Sequence, residues 1–188
     1  MPPFELILPE RKKQMFIWIC IMIGAIFIDQ ITKWLAVIFL QGGGVIRWPV
    51  VDLFIQFRYV ENRGAAWGMF SDHRWVFMTF STIAIVAVLV FMFVKKPKSP
   101  LLNASLSLIV AGGIGNMIDR VFVGYVVDFL DFTFMDFPVF NGADCFVCIG
   151  AGMLILYLVL DTVREMRADK LKKAEAEKAE NGESDGER

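Results

Sequence analysis

The chain has 188 residues, 56% of them apolar, and a formal net charge of -1. So large an apolar share, gathered in runs far longer than a soluble core strand needs, excludes an ordinary soluble or disordered chain and points to lipid. Three cysteines cannot make the even disulfide framework of a small secreted domain.

A hydrocarbon core about 30 Å thick takes roughly 20 apolar residues of helix to cross. Four runs meet that length, at about 15–39, 75–94, 101–118 and 143–163, each bounded by charge or by Gly and Pro. The first is too long for the apolar part of a signal peptide and is followed by no small-residue cleavage site, so it is expected to be retained. Basic residues cluster at Arg11, Lys12 and Lys13, at Lys95, Lys96 and Lys98, and from Arg164 to Lys173. Such clusters mark cytoplasmic ends. Both termini are therefore expected inside, with residues 40–74 and 121–142 outside. Arg47, Arg58, Arg63 and Arg74 fall in the first outer segment, but they are interspersed with apolar and acidic residues and form no block.

In that segment Leu53, Ile55, Phe57 and Tyr59 alternate with Asp52, Gln56 and Arg58, the period of a strand. A strand cannot lie unpaired in lipid, so this one is expected at the interface, paired with other outer strands. Trp48, Phe54, Trp67, Trp75, Phe132, Phe134, Phe137 and Phe140 suit the same depth, either as an aromatic belt or as a substrate-cradling surface. The fold class is a membrane all-α core of four transmembrane helices with a small outer β-cradle. Residues 1–167 are expected to form one integral membrane domain, and 168–188 a charged cytoplasmic tail, a fraying helix that ends disordered.

Ionisable groups in spans are costly and are kept when paired, when lining a cavity or when doing chemistry. Asp29 and Lys33 lie one helical turn apart and can pair. The third span ends on Asn116, Asp119 and Arg120, which share one face, after Gly112, Gly113 and Gly115, where a neighbouring backbone can approach closely. Asp128 follows among apolar residues. Asn141 is a good N-cap for the fourth span and Asp144 sits in its first turn, so capping alone accounts for that pair. Four aspartates, Asp29, Asp119, Asp128 and Asp144, thus gather at one membrane face, in a chain without a Ser-Lys, Ser-His or Cys-His arrangement. Two carboxylates remain as the expected chemistry, one taking a proton from water while the other stays protonated. Cys145 and Cys148 spell C-x-x-C, but with His73 the only histidine they are expected to pack the helix and not to bind metal.

Five motifs carry a family resemblance. They are Asp29-Gln30-Ile31-Thr32-Lys33, Asn62-Arg63-Gly64-Ala65-Ala66-Trp67-Gly68, Gly115-Asn116-Met117-Ile118-Asp119-Arg120, Val126-Val127-Asp128-Phe129 and Phe140-Asn141-Gly142-Ala143-Asp144. In this order, on a four-span chain of this length, they resemble the lipoprotein signal peptidases, also called signal peptidase II. Trp67 stands where that family more often has Phe. The resemblance implies an aspartic endopeptidase with Asp128 and Asp144 as the catalytic pair. It implies support or substrate-binding roles for Asp29, Lys33, Asn62, Gly64, Asn116, Asp119, Arg120 and Asn141. The implied substrate is a prolipoprotein carrying a diacylglyceryl cysteine, cut just before that cysteine.

No metal or other cofactor is implied, and no nucleic-acid partner. The expected setting is the bacterial cytoplasmic membrane, as a monomer among lipids, with the active site near the outer face. The alternative is a small transporter or proton-conducting protein, since intramembrane carboxylates also mark ion pathways. Against it, the carboxylates gather at one face and the chain lacks inverted repeats. A structural assembly factor would leave the paired aspartates unexplained.

Overall fold

The computed structural model describes residues 10–43, 45–46, 54–64 and 74–186. The elements in chain order are α1 (Glu10–Leu40), β1 (Val45–Ile46), β2 (Ile55–Asn62), α2 (Arg74–Lys95), α3 (Pro100–Phe122), β3 (Val126–Phe132) and α4 (Gly142–Gly186). All four helices are long and apolar enough to cross a membrane. Trp48, Trp67, Asp52, Leu53 and His73 lie outside the described residues.

Helix α3 is central and packs against the three others. Its start is set by Ser99, whose hydroxyl caps the Leu102 amide at 3.3 Å, and by Pro100 at the first helical position. Its end lies beyond the expected boundary, so Asn116, Asp119 and Arg120 are fully helical. Two glycines bring its neighbours in. A β-carbon at Gly115 would come within 2.5 Å of Asp29 Oδ2, and one at Gly112 would strike the Ala143 carbonyl. The buried face of α1 runs Met22, Ala25, Asp29, Lys33, Ala36, Leu40, steps of three and four that make one helical stripe. Phe27, Ile28 and Trp34 on its other side are exposed, as apolar side chains facing lipid are in a membrane span.

Helix α4 continues past the apolar run to Gly186. At 1.5 Å per residue its length is about 67 Å, roughly twice a hydrocarbon core. Ala, Glu and Lys are strong helix formers, and the Glu and Lys spacing suits pairs one turn apart, so the chain needs no packing partner to keep turning.

The strands form one antiparallel sheet in the order β1-β2-β3. The strand read over 52–59 is realised at Ile55–Asn62, and its partners are β1 from the same inter-helix segment and β3 from the one after α3. Between Phe57 and Val60 the register slips by a residue, since Phe57 pairs with Leu130 and Val60 with Asp128. Gln56 and Arg58 face Asp131, to which they donate at 2.7 and 2.9 Å. Regular alternation would leave Asn62 on that same face. The bulge moves it to the opposite one, where Asp128 points.

Candidate active site

Two polar clusters, an inner and an outer one, occupy the end of the helical bundle nearest the sheet. In the inner one, Lys33 donates to Asp29 at 2.9 Å, to Asp119 at 3.0 Å and to Asn116 Oδ1 at 2.9 Å, which uses all three ammonium protons. Gln30 adds bonds to Asp29, Asp119 and the Gly115 carbonyl at 3.1–3.2 Å. Backbone amides add one donor to each carboxylate, at the free oxygen of Asp29 and at the Asp119 oxygen that also meets Lys33. Asp29 Oδ1 accepts from Ala143 N at 2.8 Å, and Asp119 Oδ2 from Val127 N at 3.1 Å. Asp29 is fully buried and Lys33 only 3% exposed. Burial this deep is tolerable because the charges are paired and the other oxygens are satisfied. The cluster ties α1 and α3 to the starts of β3 and α4.

In the outer cluster, Asp128 and Asp144 are linked through two asparagines. Asn141 Nδ2 donates to Asp128 Oδ1 at 2.6 Å and to Asn116 Oδ1 at 3.1 Å, while Asn116 Nδ2 donates to Asp144 Oδ1 at 2.8 Å. Asn62 Nδ2 reaches the other Asp128 oxygen at 2.9 Å, and the Gly64 amide orients Asn62 by donating to its Oδ1 at 3.1 Å. Asn141 and Asp144 also make a reciprocal N-terminal box. The Asp144 amide donates to Asn141 Oδ1 at 3.1 Å, and the Asn141 amide to Asp144 Oδ2 at 3.2 Å. Capping and site-building are therefore one arrangement, not alternatives.

Burial raises the Asp128 carboxyl from 3.8 to about 7. The Asn62 and Asn141 hydrogen bonds and the Lys33 charge pull the other way, and the Asp144 charge adds to the rise. Desolvation wins because Asp128 is only 2% exposed and its direct partners are neutral amides.

Both aspartates face a cavity of about 420 Å³, and Asn62, Gly64, Asn116 and Arg120 complete its polar side. Its apolar wall holds Phe132, Phe137 and Phe140, with Phe132 packed on Phe140 at 4.9 Å and on Phe137 at 5.6 Å between ring centroids. The structure thus brings Asp128, Asp144, Asn62, Gly64, Asn116 and Arg120 to one cavity. Asn141 is buried beneath it as a bridge, and Asp29, Lys33 and Asp119 form the neighbouring buried cluster. Sequence reasoning did not single out Gln30, although its place one residue after Asp29 in an apolar span was a signal. Nor did it place Cys145 and Cys148 on the cavity wall, where they lie.

Comparison with known proteins gives one answer. Residues 21–160 match the family model described as Signal peptidase (SPase) II. A lipoprotein signal peptidase of Caldanaerobacter subterraneus subsp. tengcongensis is 44% identical, over 76% of this chain and 94% of that relative. One from Clostridium tetani is 39% identical, over 79% and 96%. A bacterial membrane enzyme solved by the in meso method at 2.3 Å resolution superposes with a TM-score of 0.71 at 33% identity, covering 77% of this chain and 88% of that one. With four spanning helices and this degree of likeness along most of its length, the chain belongs to the signal peptidase II family, the lipoprotein signal peptidases.

Proposed function

We propose that this member of the family removes signal peptides from prolipoproteins by an aspartic mechanism run by Asp128 and Asp144. The carrying observation is that Asn116 and Asn141 join the two carboxylates at the wall of one cavity. Asp144 acts as the carboxylate, with both oxygens accepting hydrogen bonds, and takes a proton from a water in the cavity. Asp128 carries the partner proton, in keeping with its rise to about 7, and delivers it to the leaving amine. Arg120 on the same wall supplies positive charge for the developing oxyanion.

The aromatic side of the cavity holds the substrate next to its lipid. The substrate is a prolipoprotein with a diacylglyceryl cysteine, cut immediately before that cysteine. The basic clusters support a topology with both termini in the cytoplasm and the dyad near the outer face. A monomer is the expected working unit, since one chain supplies both aspartates and their amide bridge.

A diacylated precursor peptide incubated with purified protein in detergent tests this. Cleavage before the lipidated cysteine, abolished by Asp128→Asn and by Asp144→Asn in folded protein, is the expected result. A fully active single Asn variant would overturn the mechanism.

A further inference from the structure

Two free thiols share the cavity with the dyad. Asp144, Cys145 and Cys148 all line it from the first turns of α4, with Cys148 four residues beyond Asp144 and three beyond Cys145. Cys148 is exposed and Cys145 half-buried, and neither is in a disulfide. Cys20, the third cysteine, is exposed on α1 and does not line this cavity. Helical geometry, with a rise of 1.5 Å per residue and a radius of 2.3 Å, sets the Cα atoms of Cys145 and Cys148 about 5 Å apart. That lies inside the separation of roughly 4.4–6.8 Å that a disulfide spans.

We propose that Cys148 is a thiol-modification site through which small disulfides reversibly shut the active cavity, with Cys145 as the resolving thiol. The Cys148 thiolate, having lost its proton to solvent, attacks one sulfur of a low-molecular-weight disulfide. The S–S bond breaks, a mixed disulfide forms on Cys148, and the other half leaves as a thiolate that takes up a proton. The adduct stands one turn from Asp144, in a cavity of about 420 Å³ that Phe132, Phe137 and Phe140 also line. There it occupies the volume the substrate needs. Cys145 can then attack the Cys148 sulfur, releasing the second half as a thiol and closing a bridge within the helix. An external thiol reverses either state by the same exchange. The small disulfide is the oxidant, so the two electrons lost by the cysteines appear in its two thiol products.

The inference rests on the cavity being the substrate site, and the dyad variants test that reading separately in the same cleavage assay. The experiment treats the purified full chain in detergent with cystamine. Cleavage should be lost and then restored by dithiothreitol, with mass spectrometry placing the adduct or bridge on Cys148 and Cys145. Each variant is compared with its own untreated rate. Cys148→Ser should keep its rate under cystamine, Cys20→Ser should be inhibited like the parent, and Cys145→Ser should accumulate the adduct without the bridge. A parent enzyme that retains its rate once Cys148 is fully modified would overturn the proposal, as would a Cys148→Ser variant inhibited like the parent. A second measurement needs no variant. A bound diacylated peptide should slow modification of Cys148 and leave that of Cys20 unchanged, and equal slowing or none at both would overturn it as well.

Discussion

The two polar clusters are each built on a pair of aspartates, yet they are opposites in electrostatics. Asp29 and Asp119 share the Lys33 ammonium, and their remaining acceptors are filled by Gln30 and backbone amides. Asp128 and Asp144 are joined by neutral amides alone and face a cavity. A carboxylate pair that surrounds a cation holds helices together. A pair bridged by amides, with one member desolvated, can share and move a proton. Residue type therefore does not distinguish the buried pair from the pair proposed to be catalytic. Their partners do.

Breaking the reactive pair should have the largest effect. Asp128→Asn or Asp144→Asn should lower cleavage by about 10⁴-fold, the scale on which one member of a coupled catalytic set acts, with melting in detergent little changed. Breaking the structural pair should do the reverse. Lys33→Met leaves two buried carboxylates without their cation and should cost about 3–5 kcal/mol of stability, read as detergent unfolding. Adding Asp29→Asn and Asp119→Asn to Lys33→Met should recover much of that loss. A Lys33→Met variant with parental stability would remove the distinction between the clusters.

Asn116 belongs to both clusters, accepting from Lys33 and donating to Asp144. Asn116→Ala should lower cleavage about ten- to a hundredfold, the worth of a buried hydrogen bond to a charged group.

The pH profile sharpens the comparison further. If Asp128 must be protonated, the rate should fall as pH rises through about 7. Asn62→Ala removes a hydrogen bond that favours the ionised form and should move that limb to higher pH. Stability follows the same sign. The folded state holds a proton on Asp128 that the unfolded chain releases near 4, so this group's contribution declines as pH rises from about 4 to about 7. Asp128→Asn should flatten that slope. Smallest of all, truncation after Arg167 should leave cleavage unchanged, because that part of α4 lies at the opposite end of the span from the dyad.

Local regularities were legible in the sequence. Four apolar runs, the one-turn spacing of Asp29 and Lys33, and an Asn cap three residues before Asp144 each follow from hydrocarbon thickness, helical pitch or unsatisfied amides at a helix start.

Other features depended on distant residues. The Lys33 charge is shared with Asp119, 86 positions along the chain, because Gly115 lets α1 approach α3 there. Asn62 meets Asp128 because a bulge between Phe57 and Val60 reverses the face it presents. Cys145 and Cys148 read as helix packing until β3 and the segment from Phe137 to Phe140 closed a cavity over them. A chain's own periodicity says which residues share a face. Only the packed structure decides what that face meets, because partner, register and cavity are set by elements that are remote in sequence.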